Sequence, residues 1–377
     1  MQKISGFSRL KGLAAASAIT VAGFVSGGAA RAASTAIPLD VVRSSARWSS
    51  IDNNGNFPSS DTVTSSNGDV FTTNMQGYGI GDAAFGGAAA AAGVNGSGSG
   101  YSDAFDNAMI LSVNGTLFQN PDSTVDLTGD TVTSDTVTIV PGIDAQVRYT
   151  FITGRPVVRA LYSLTNTTAA PISVNAAVLG DYGSDGNTEV VATSNGNTTI
   201  EGSDFWYITD DQGTGAPKRV KKNRSPDGKG GGDPRVTLSR YGTGAEVIPS
   251  NALIPGNGDS QTAMFGLRYP VTIAPGATAR VLVFAQLSDP TAPVADAAAA
   301  AADFESVAAM QSAGLLTGIT AEETSQIVNY VRPGGPVPVA EAVDLPTLSP
   351  AGLLTLLGAM GGFGYVALRR RKKATIA

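Results

Sequence analysis

The chain has 377 residues, of which 42% are hydrophobic, 15% charged and 7% aromatic, and its formal net charge is −6. It contains no cysteine and no histidine. These two absences exclude a Ser-His-Asp triad, imidazole acid–base chemistry, a thiol nucleophile, disulfides and thiolate metal sites.

Residues 1–32 have the layout of a secretory signal peptide. A basic start precedes a short apolar run, Leu13–Val25, and Ala30-Arg31-Ala32 supplies small residues at the cleavage positions. The apolar run is too short to span a bilayer comfortably. We therefore expect cleavage near Ala32 and export of the body, with an uncleaved anchor as the alternative.

Residues 33–110 are predicted to combine strands and loops. Within this region, residues 81–100 are mostly Gly, Ala and Ser, a low-complexity composition that predicts a flexible loop.

Residues 111–290 carry the period-two alternation of half-buried strands. The apolar positions alternate with polar ones at 145–151, 158–164, 172–178 and 279–285. Turn sequences without intervening helices join these segments. The pattern predicts a mainly β fold, an antiparallel β-sandwich or its larger form, a supersandwich.

The segment Arg159–Val178 resembles in texture a hairpin that is common in carbohydrate-handling sandwiches, including the galactose mutarotase superfamily. Those enzymes depend on histidine, which this chain lacks. The resemblance therefore implies a fold and no activity.

An oxygen-rich segment follows one of these strands, from Asp181 to Glu189. The candidate calcium ligands are Asp181, Asp185, Asn187 and Glu189. Gly186 permits a sharp turn, and hard cations prefer carboxylate and amide oxygens. A turn that satisfies its own backbone, and a catalytic role for the carboxylates, are the alternatives.

Aromatic and acidic residues alternate further along. Asp204, Trp206 and Tyr207 are candidate glycan contacts, because stacking rings beside carboxylates suit a sugar-binding face. Alternating aromatic residues on a strand are also typical of a core.

A basic segment comes next, with eight cations between positions 218 and 240. The candidate polyanion-binding residues are Lys218, Arg219, Lys221, Lys222 and Arg224, and Lys229, Arg235 and Arg240 complete the set. Such a loop could hold a polyanion. It lacks interleaved aromatic residues, so we expect no sequence-specific nucleic acid partner. A solvated loop is the alternative.

Residues 291–332 are predicted to form a short helical pair. Ala295–Ser312 is alanine-rich with Gly314 as its C-cap, and Thr320 with Glu323 has the spacing of a capping box that opens a helix through about Tyr330.

The C-terminus is predicted to sort and anchor the chain. An extended tether, 333–350, leads to 18 uncharged residues, 351–368, that suit a transmembrane helix, and to a basic cytoplasmic tail, 369–377. Leu345, Pro346, Thr347, Leu348, Ser349 and Gly352 resemble the bacterial IPTL-CTERM sorting tail. That resemblance implies a Gram-negative envelope and an exosortase-like processing enzyme as partner. The body would face the periplasm from the inner membrane or be sorted to the outer surface or exterior.

Charge is distributed unevenly between the ends and the body. Residues 1–32 and 369–373 hold 9 of the 25 cations, so the body has 16 cations against all 31 acids, a net charge near −15. We expect an exported surface protein with a structural or binding role in matrix, adhesion or glycan contact. The alternative is a carboxylate-based glycosidase or lyase, with calcium as its candidate cofactor.

Overall fold

The structure is a computed structural model that describes residues 33–56, 62–64, 70–72, 76–86, 101, 103–183, 188–210, 233–253 and 263–331. These residues include twenty strands. Their bounds are β1 Ala33–Ala36, β2 Leu39–Arg43, β3 Ala46–Asn56, β4 Thr62–Thr64, β5 Val70–Thr72, β6 Gln76–Phe85, β7 Ile110–Val113, β8 Thr116–Leu117, β9 Thr124–Thr128, β10 Thr131–Thr133, β11 Val137–Val140, β12 Ile143–Phe151, β13 Val157–Asn166, β14 Ile172–Asp181, β15 Glu189–Thr193, β16 Trp206–Asp210, β17 Arg235–Ser239, β18 Ser250–Leu253, β19 Met264–Ile273 and β20 Thr278–Ser288.

The strands form four antiparallel sheets. The largest has ten strands in the order β1-β9-β10-β12-β13-β20-β17-β16-β15, with β11 also paired to β12. A five-stranded sheet has the order β18-β19-β14-β7-β8, a three-stranded sheet the order β2-β3-β6, and β4 pairs with β5. The predicted antiparallel β architecture is confirmed.

One hydrophobic core lies between the three larger sheets. Alternate residues of β12, β13 and β20 line it, and residues of β14 and β19 line it from the five-stranded sheet. Trp48 and Ile51 of β3 and Tyr78 and Ile80 of β6 belong to the same core. β3 and β6, from the described part of the region 33–110, therefore pack onto the main sheets. Period-two alternation explains this arrangement, because it places one set of side chains of each strand on the core side.

The other face of the ten-stranded sheet is partly covered by the C-terminal helices. These are α1 Val294–Ala301, a 3₁₀ turn Ala302–Phe304, α2 Val307–Ser312 and α3 Ala321–Ser325. Ala297, Ala301, Phe304 and Met310 pack there in a second hydrophobic cluster with strand residues such as Phe284. We call this cluster the helix-side core.

The helical predictions are partly right. Ser306, whose hydroxyl accepts from Ala309 N, divides the predicted helix 295–312 into α1 and α2. Gly314 has a φ of 71°, as a helix C-terminus favours. The Thr320–Glu323 capping box is confirmed, but the extension of its helix to Tyr330 is wrong, because α3 ends at Ser325.

Two further predictions concern residues that lie partly or wholly outside the described part of the chain. The loop prediction for 81–100 is wrong at 81–85, which belong to β6, and residues 87–100 lie outside the described part. Residues 351–368 also lie outside it. Among the helices that the structure describes, none is long and apolar enough to cross a bilayer.

Candidate functional site

The predicted metal ligands are divided between two sheets. Asp181 ends β14 in the five-stranded sheet, where it is buried, and Glu189 begins β15 at the edge of the ten-stranded sheet, where it is exposed. Asp185 and Asn187 lie outside the described residues. Within the described part of the chain, no three Asp or Glu side chains are grouped as a metal site requires. The calcium site stays a prediction.

The surroundings of Asp181 are strongly acidic. The backbone N–H of Asp106 donates to the carbonyl of Asp181 at 3.1 Å, and Asp103 lies against Gly183, where a Cβ would stand 2.0 Å from the Asp103 carbonyl oxygen. Burial, and then the Asp103 carboxylate, raise the pKa of Asp82 well above its ordinary value, although backbone N–H donors lower it. Asp82, Asp103, Asp106 and Asp181 therefore lie close together at one end of the molecule, which we call the acidic end.

The backbone of this acidic end is unusual. Asp103, Asn107 and Met109 have φ angles of 75°, 85° and 61°, which residues with a side chain seldom adopt. The Met109 carbonyl accepts hydrogen bonds from the hydroxyls of Tyr149 at 2.8 Å and Tyr162 at 2.7 Å. These bonds from the core hold the segment in its conformation.

Asp204 closes a loop. It is fully buried, and its carboxylate accepts from Glu201 N at 2.7 Å, Asn195 N at 3.1 Å and the Ser194 hydroxyl at 3.3 Å. These three donors tie both ends of the β15–β16 connection together. The contacts are those of a structural carboxylate.

Trp206 and Tyr207 point to opposite faces of the ten-stranded sheet. Trp206 is 5% exposed, packs in the helix-side core and donates from its indole nitrogen to Glu305 Oε1 at 3.0 Å. Tyr207 is buried in the main core, where its hydroxyl lies 3.2 Å from that of Tyr182. The structure therefore does not bring Asp204, Trp206 and Tyr207 together on an exposed face, and the glycan-contact hypothesis gains no support from it.

A small cleft lies beside the acidic end. Tyr182, Thr209, Asp210 and Asp233 contribute to its lining, and it encloses about 190 Å³ of space including open solvent. Asp210 forms a buried ion pair with Arg235, whose Nη2 lies 2.8 Å from Asp210 Oδ2. Arg235 also donates to the carbonyls of Asp289, Pro290 and Ala292. The space inside it that water can occupy is only about 10 Å³, room for about one water molecule, so the cleft as it stands does not enclose a sugar.

The basic segment is only partly described. Lys218, Arg219, Lys221, Lys222 and Arg224 lie outside the described residues, as does Lys229. Arg235 and Arg240 are buried, which removes them from any exposed basic patch. Arg240 donates from Nη1 to the carbonyls of Glu201 and Asp204 at 2.5 and 2.6 Å. The alternation of Arg235-Val236-Thr237-Leu238 predicts a strand. The place of Arg235 on β17, and of Arg240 just after it, could therefore have been anticipated.

The sorting motif, Leu345 to Ser349 with Gly352, also lies outside the described residues. A group of charged side chains on the helix side of the ten-stranded sheet was not predicted from the sequence. Arg148, Arg159 and Arg280 come from three neighbouring strands and meet Glu323 of α3. Each of the three arginines stands at a polar position of its strand. That pattern is equally typical of a side chain that faces solvent, so it did not indicate a shared site.

No protein-family model matches the chain, and no curated protein matches it. Among solved structures, it is similar to a galactose mutarotase-like protein from Lactobacillus casei, with 10% identity, coverage of 66% of this chain and 99% of that one, and a TM-score of 0.34. A galactose mutarotase related enzyme from Lactobacillus acidophilus has 8% identity, coverage of 67% and 98%, and a TM-score of 0.31.

Heparan sulfate lyase HepC from Pedobacter heparinus is a third similar structure, with 8% identity and a TM-score of 0.29. The similarity covers 49% of this chain and only 24% of the lyase. Values of this size assign neither an activity nor a ligand to the present chain.

Proposed function

We propose that this protein is exported and sorted to the envelope of a Gram-negative bacterium, where its β-sandwich body has a structural or binding role. The observation that carries the proposal is the order of sequence signals at the C-terminus. The motif at 345–349, the uncharged run 351–368 and five consecutive cations follow one another without interruption.

The binding role rests on charge. A body with a net charge near −15 stays soluble and repels anionic surfaces in general. Cations at 218–224 stand out against that background, and we propose them as the contact to an acidic envelope glycan or another polyanion.

Export and sorting can be tested in a Gram-negative host that has an exosortase-like enzyme. The full chain and two matched proline variants, Pro346→Ala in the motif and Pro336→Ala in the tether, are fractionated and the mature N-terminus is sequenced. We expect an N-terminus at Ala33 in all three. We expect the wild type and Pro336→Ala to be processed, and Pro346→Ala to remain in the inner membrane.

Two results would reject parts of this proposal separately. Recovery of the whole body from the cytoplasm with residues 1–32 attached would reject export. Equal processing of both proline variants would reject recognition of the motif while leaving export intact.

A carboxylate-based carbohydrate-active enzyme is the second candidate function. The observation in its favour is that two carboxylates, Asp210 and Asp233, line one cleft with Tyr182; because the cleft does not enclose a sugar, the substrate would have to bind across its mouth. An enzyme that uses this cleft should lose turnover of acidic or neutral polysaccharides in Asp233→Asn while keeping its melting temperature. Wild-type protein without turnover on a polysaccharide panel would leave the binding role as the better account.

A further inference from the structure

Three arginines share one face of the ten-stranded sheet. The flanking residues Val147 and Tyr149 of β12 point into the main core, so Arg148 points to the helix side, and the same alternation directs Arg159 and Arg280 there. Arg148 pairs in register with Leu161, and Arg280 pairs with Ser163. The three guanidinium groups therefore come from the neighbouring strands β12, β13 and β20.

The positive charge of this group exceeds its negative charge. Among the described residues, Glu323 is the carboxylate that forms ion pairs here, with its Oε1 2.9 Å from Arg148 Nη1 and 3.8 Å from Arg280 Nη2. Its other oxygen accepts from Thr320 N in the capping box. The Glu322 carboxylate adds a weaker charge interaction with Arg280, so two carboxylates face three guanidinium groups.

Arg159 adds charge without a carboxylate contact. It is 1% exposed, and it donates to the carbonyls of Leu315 at 2.6 Å and Thr317 at 3.0 Å and to the Thr150 hydroxyl at 3.0 Å. These acceptors are all neutral. Burial, and next the charge of Arg148, lower the pKa of Arg159 to about 10. Burial also lowers the pKa of Arg280, with Arg148 acting in the same direction and Glu323 opposing it.

Several donors of the group lack an acceptor. In the described part of the molecule, Arg148 Nε and Nη2 and Arg159 Nε are buried nitrogens without a hydrogen-bond partner. Buried N–H groups are normally satisfied, and charged donors most of all.

The group can be reached from solvent. The side chains of Arg148, Arg280 and Glu323 are 21%, 17% and 16% exposed. Gln146 and Thr133 lie on the same face and are half-buried. A small anion could therefore approach the rim of the helical layer, whereas Arg159 would act from behind as a buried positive charge.

We propose that Arg148 and Arg280, backed by Arg159, form a binding site for an oxyanion group, a sulfate, phosphate or carboxylate. The planar guanidinium group presents a fork of N–H donors that matches the oxygens of an oxyanion. The Glu323 carboxylate already occupies such a position beside Arg148. The site does not depend on the sorting proposal or on the basic residues 218–224.

The first test is thermal unfolding of the full chain in mild detergent, followed by tryptophan fluorescence, with sodium sulfate titrated against sodium chloride at equal ionic strength. A site bound only in the folded state raises the melting temperature with the logarithm of the sulfate concentration above Kd, by about 2–4 °C at roughly tenfold excess over Kd. Sulfate also stabilises proteins by exclusion from their surfaces, but that effect grows in proportion to concentration and is small at low sulfate.

Two arginine variants separate the site from general effects. Arg148→Gln should lose the logarithmic part of the sulfate response, which dominates at low concentration. Arg43→Gln removes the same charge from β2 of the three-stranded sheet and should keep that part. An equal response of both variants, or a wild-type response that is only proportional to concentration, would overturn the proposal.

Glu323→Gln gives an independent test that does not require Arg148 to be changed. Glutamine can still serve in a capping box, and it removes the carboxylate that competes with an added anion. We expect a sulfate response at lower concentration than in the wild type. A weaker response would show that Glu323 supports the fold without competing for this site, and it would contradict the proposal.

A final comparison identifies the source of the oxyanion. Glucuronate is titrated against glucose and against acetate at equal concentration. A response to glucuronate above that to acetate indicates a site for acidic sugars, whereas equal responses to acetate, glucuronate and sulfate indicate a site for free oxyanions. The absence of any response that depends on Arg148 rejects both.

Discussion

At the scale of single residues, Asp204 distinguishes a structural carboxylate from a catalytic one. A catalytic carboxylate could be replaced by asparagine with little change in stability. Asp204 instead accepts three hydrogen bonds within its loop and lies near the buried Arg240. We expect Asp204→Ala to lower the free energy of unfolding by about 2–4 kcal/mol, because buried donors lose their acceptor.

Urea denaturation of the full chain measures this loss. Ser203→Ala is the matched control, because Ser203 is the exposed neighbour and receives one hydrogen bond, from Asn195 Nδ2. A loss of stability no larger in Asp204→Ala than in Ser203→Ala would show that the loop does not depend on the carboxylate.

Asp82 predicts a dependence of stability on pH. Its pKa is raised in the folded state, chiefly by burial and then by Asp103. A carboxyl of this kind contributes stability while protonated, and that contribution is lost as the pH rises from its ordinary pKa, about 4, through the folded value. Asp82→Asn removes this titration. The difference in melting temperature between Asp82→Asn and the wild type should therefore become more positive as the pH rises.

The control for Asp82 is Asp296→Asn, which makes the same charge change at an exposed position of α1. Melting curves from about pH 4 to pH 8 compare the three proteins. A constant difference between Asp82→Asn and the wild type over this range would refute the assignment of the pH dependence to Asp82.

At the scale of elements, the segment after α3 is attached to β20 by backbone hydrogen bonds at Arg280 and by the side chain of Asn329. Asn329 is fully buried, its Oδ1 accepts from Leu282 N at 3.0 Å, and its Nδ2 donates to the Leu282 carbonyl at 2.7 Å and the Arg240 carbonyl at 3.1 Å. Asn329→Ala leaves two backbone groups of β20 without partners. We expect a loss of about 2–4 kcal/mol in the free energy of unfolding.

Chemical denaturation again provides the measurement. Asn195→Ala, a change of the same kind at an exposed position, should cost less than about 1 kcal/mol. Similar losses in the two variants would mean that the backbone hydrogen bonds and apolar side chains of the segment hold it without the Asn329 side chain.

Close approach of strands gives a second prediction at this scale. A Cβ added at Gly180 of β14 would lie 2.3 Å from the Phe265 ring and 2.9 Å from Ala108 Cα, whereas one at Gly202 meets nothing within 4 Å. Gly180→Ala should therefore destabilise the protein by about 1–3 kcal/mol. Gly202→Ala should change stability little, and calorimetry that ranks the two variants in the opposite order would contradict this packing.

The elements differ in how far the sequence could predict them. β12, β13, β14 and β20 follow from their alternation, because each has one face in the main core. β6 could not be predicted from alternation. Its Gly77 and Gly79 stand where a Cβ would approach Ile110 within 2.5 and 2.6 Å, so the packing itself requires a composition that is typical of loops.

The end of α3 could not be predicted from the local sequence either. Residues 327–330 are mostly apolar, but Asn329 bonds to β20 across a separation of 47 residues, which local propensity does not contain. The candidate sites were predicted least well. Alternation alone places Trp206 and Tyr207 on opposite faces, but the meeting of Arg148, Arg159 and Arg280 depends on strand order and register, which one sequence does not reveal.

At the scale of the whole molecule, the ten-stranded sheet joins two hydrophobic cores. Trp48 lies in the main core and Trp206 in the helix-side core, both almost fully buried. Strands β13, β16 and β20 contribute side chains to both cores, so neither can be lost without disrupting strands that the other needs. We therefore expect the two cores to unfold in a single cooperative transition.

Single-tryptophan variants test this cooperativity, since the chain has only these two tryptophans. Trp48→Phe leaves Trp206 as the reporter of the helix-side core, and Trp206→Phe leaves Trp48 as the reporter of the main core. Within each variant, the fluorescence transition in urea should coincide with the loss of β-structure measured by circular dichroism. Earlier unfolding at Trp206 would indicate that α1 to α3 detach from the sheet before it melts. The shared strands argue against that order, because exposing Leu282 and Phe284 of β20 to water removes the burial that fixes the strand between its neighbours.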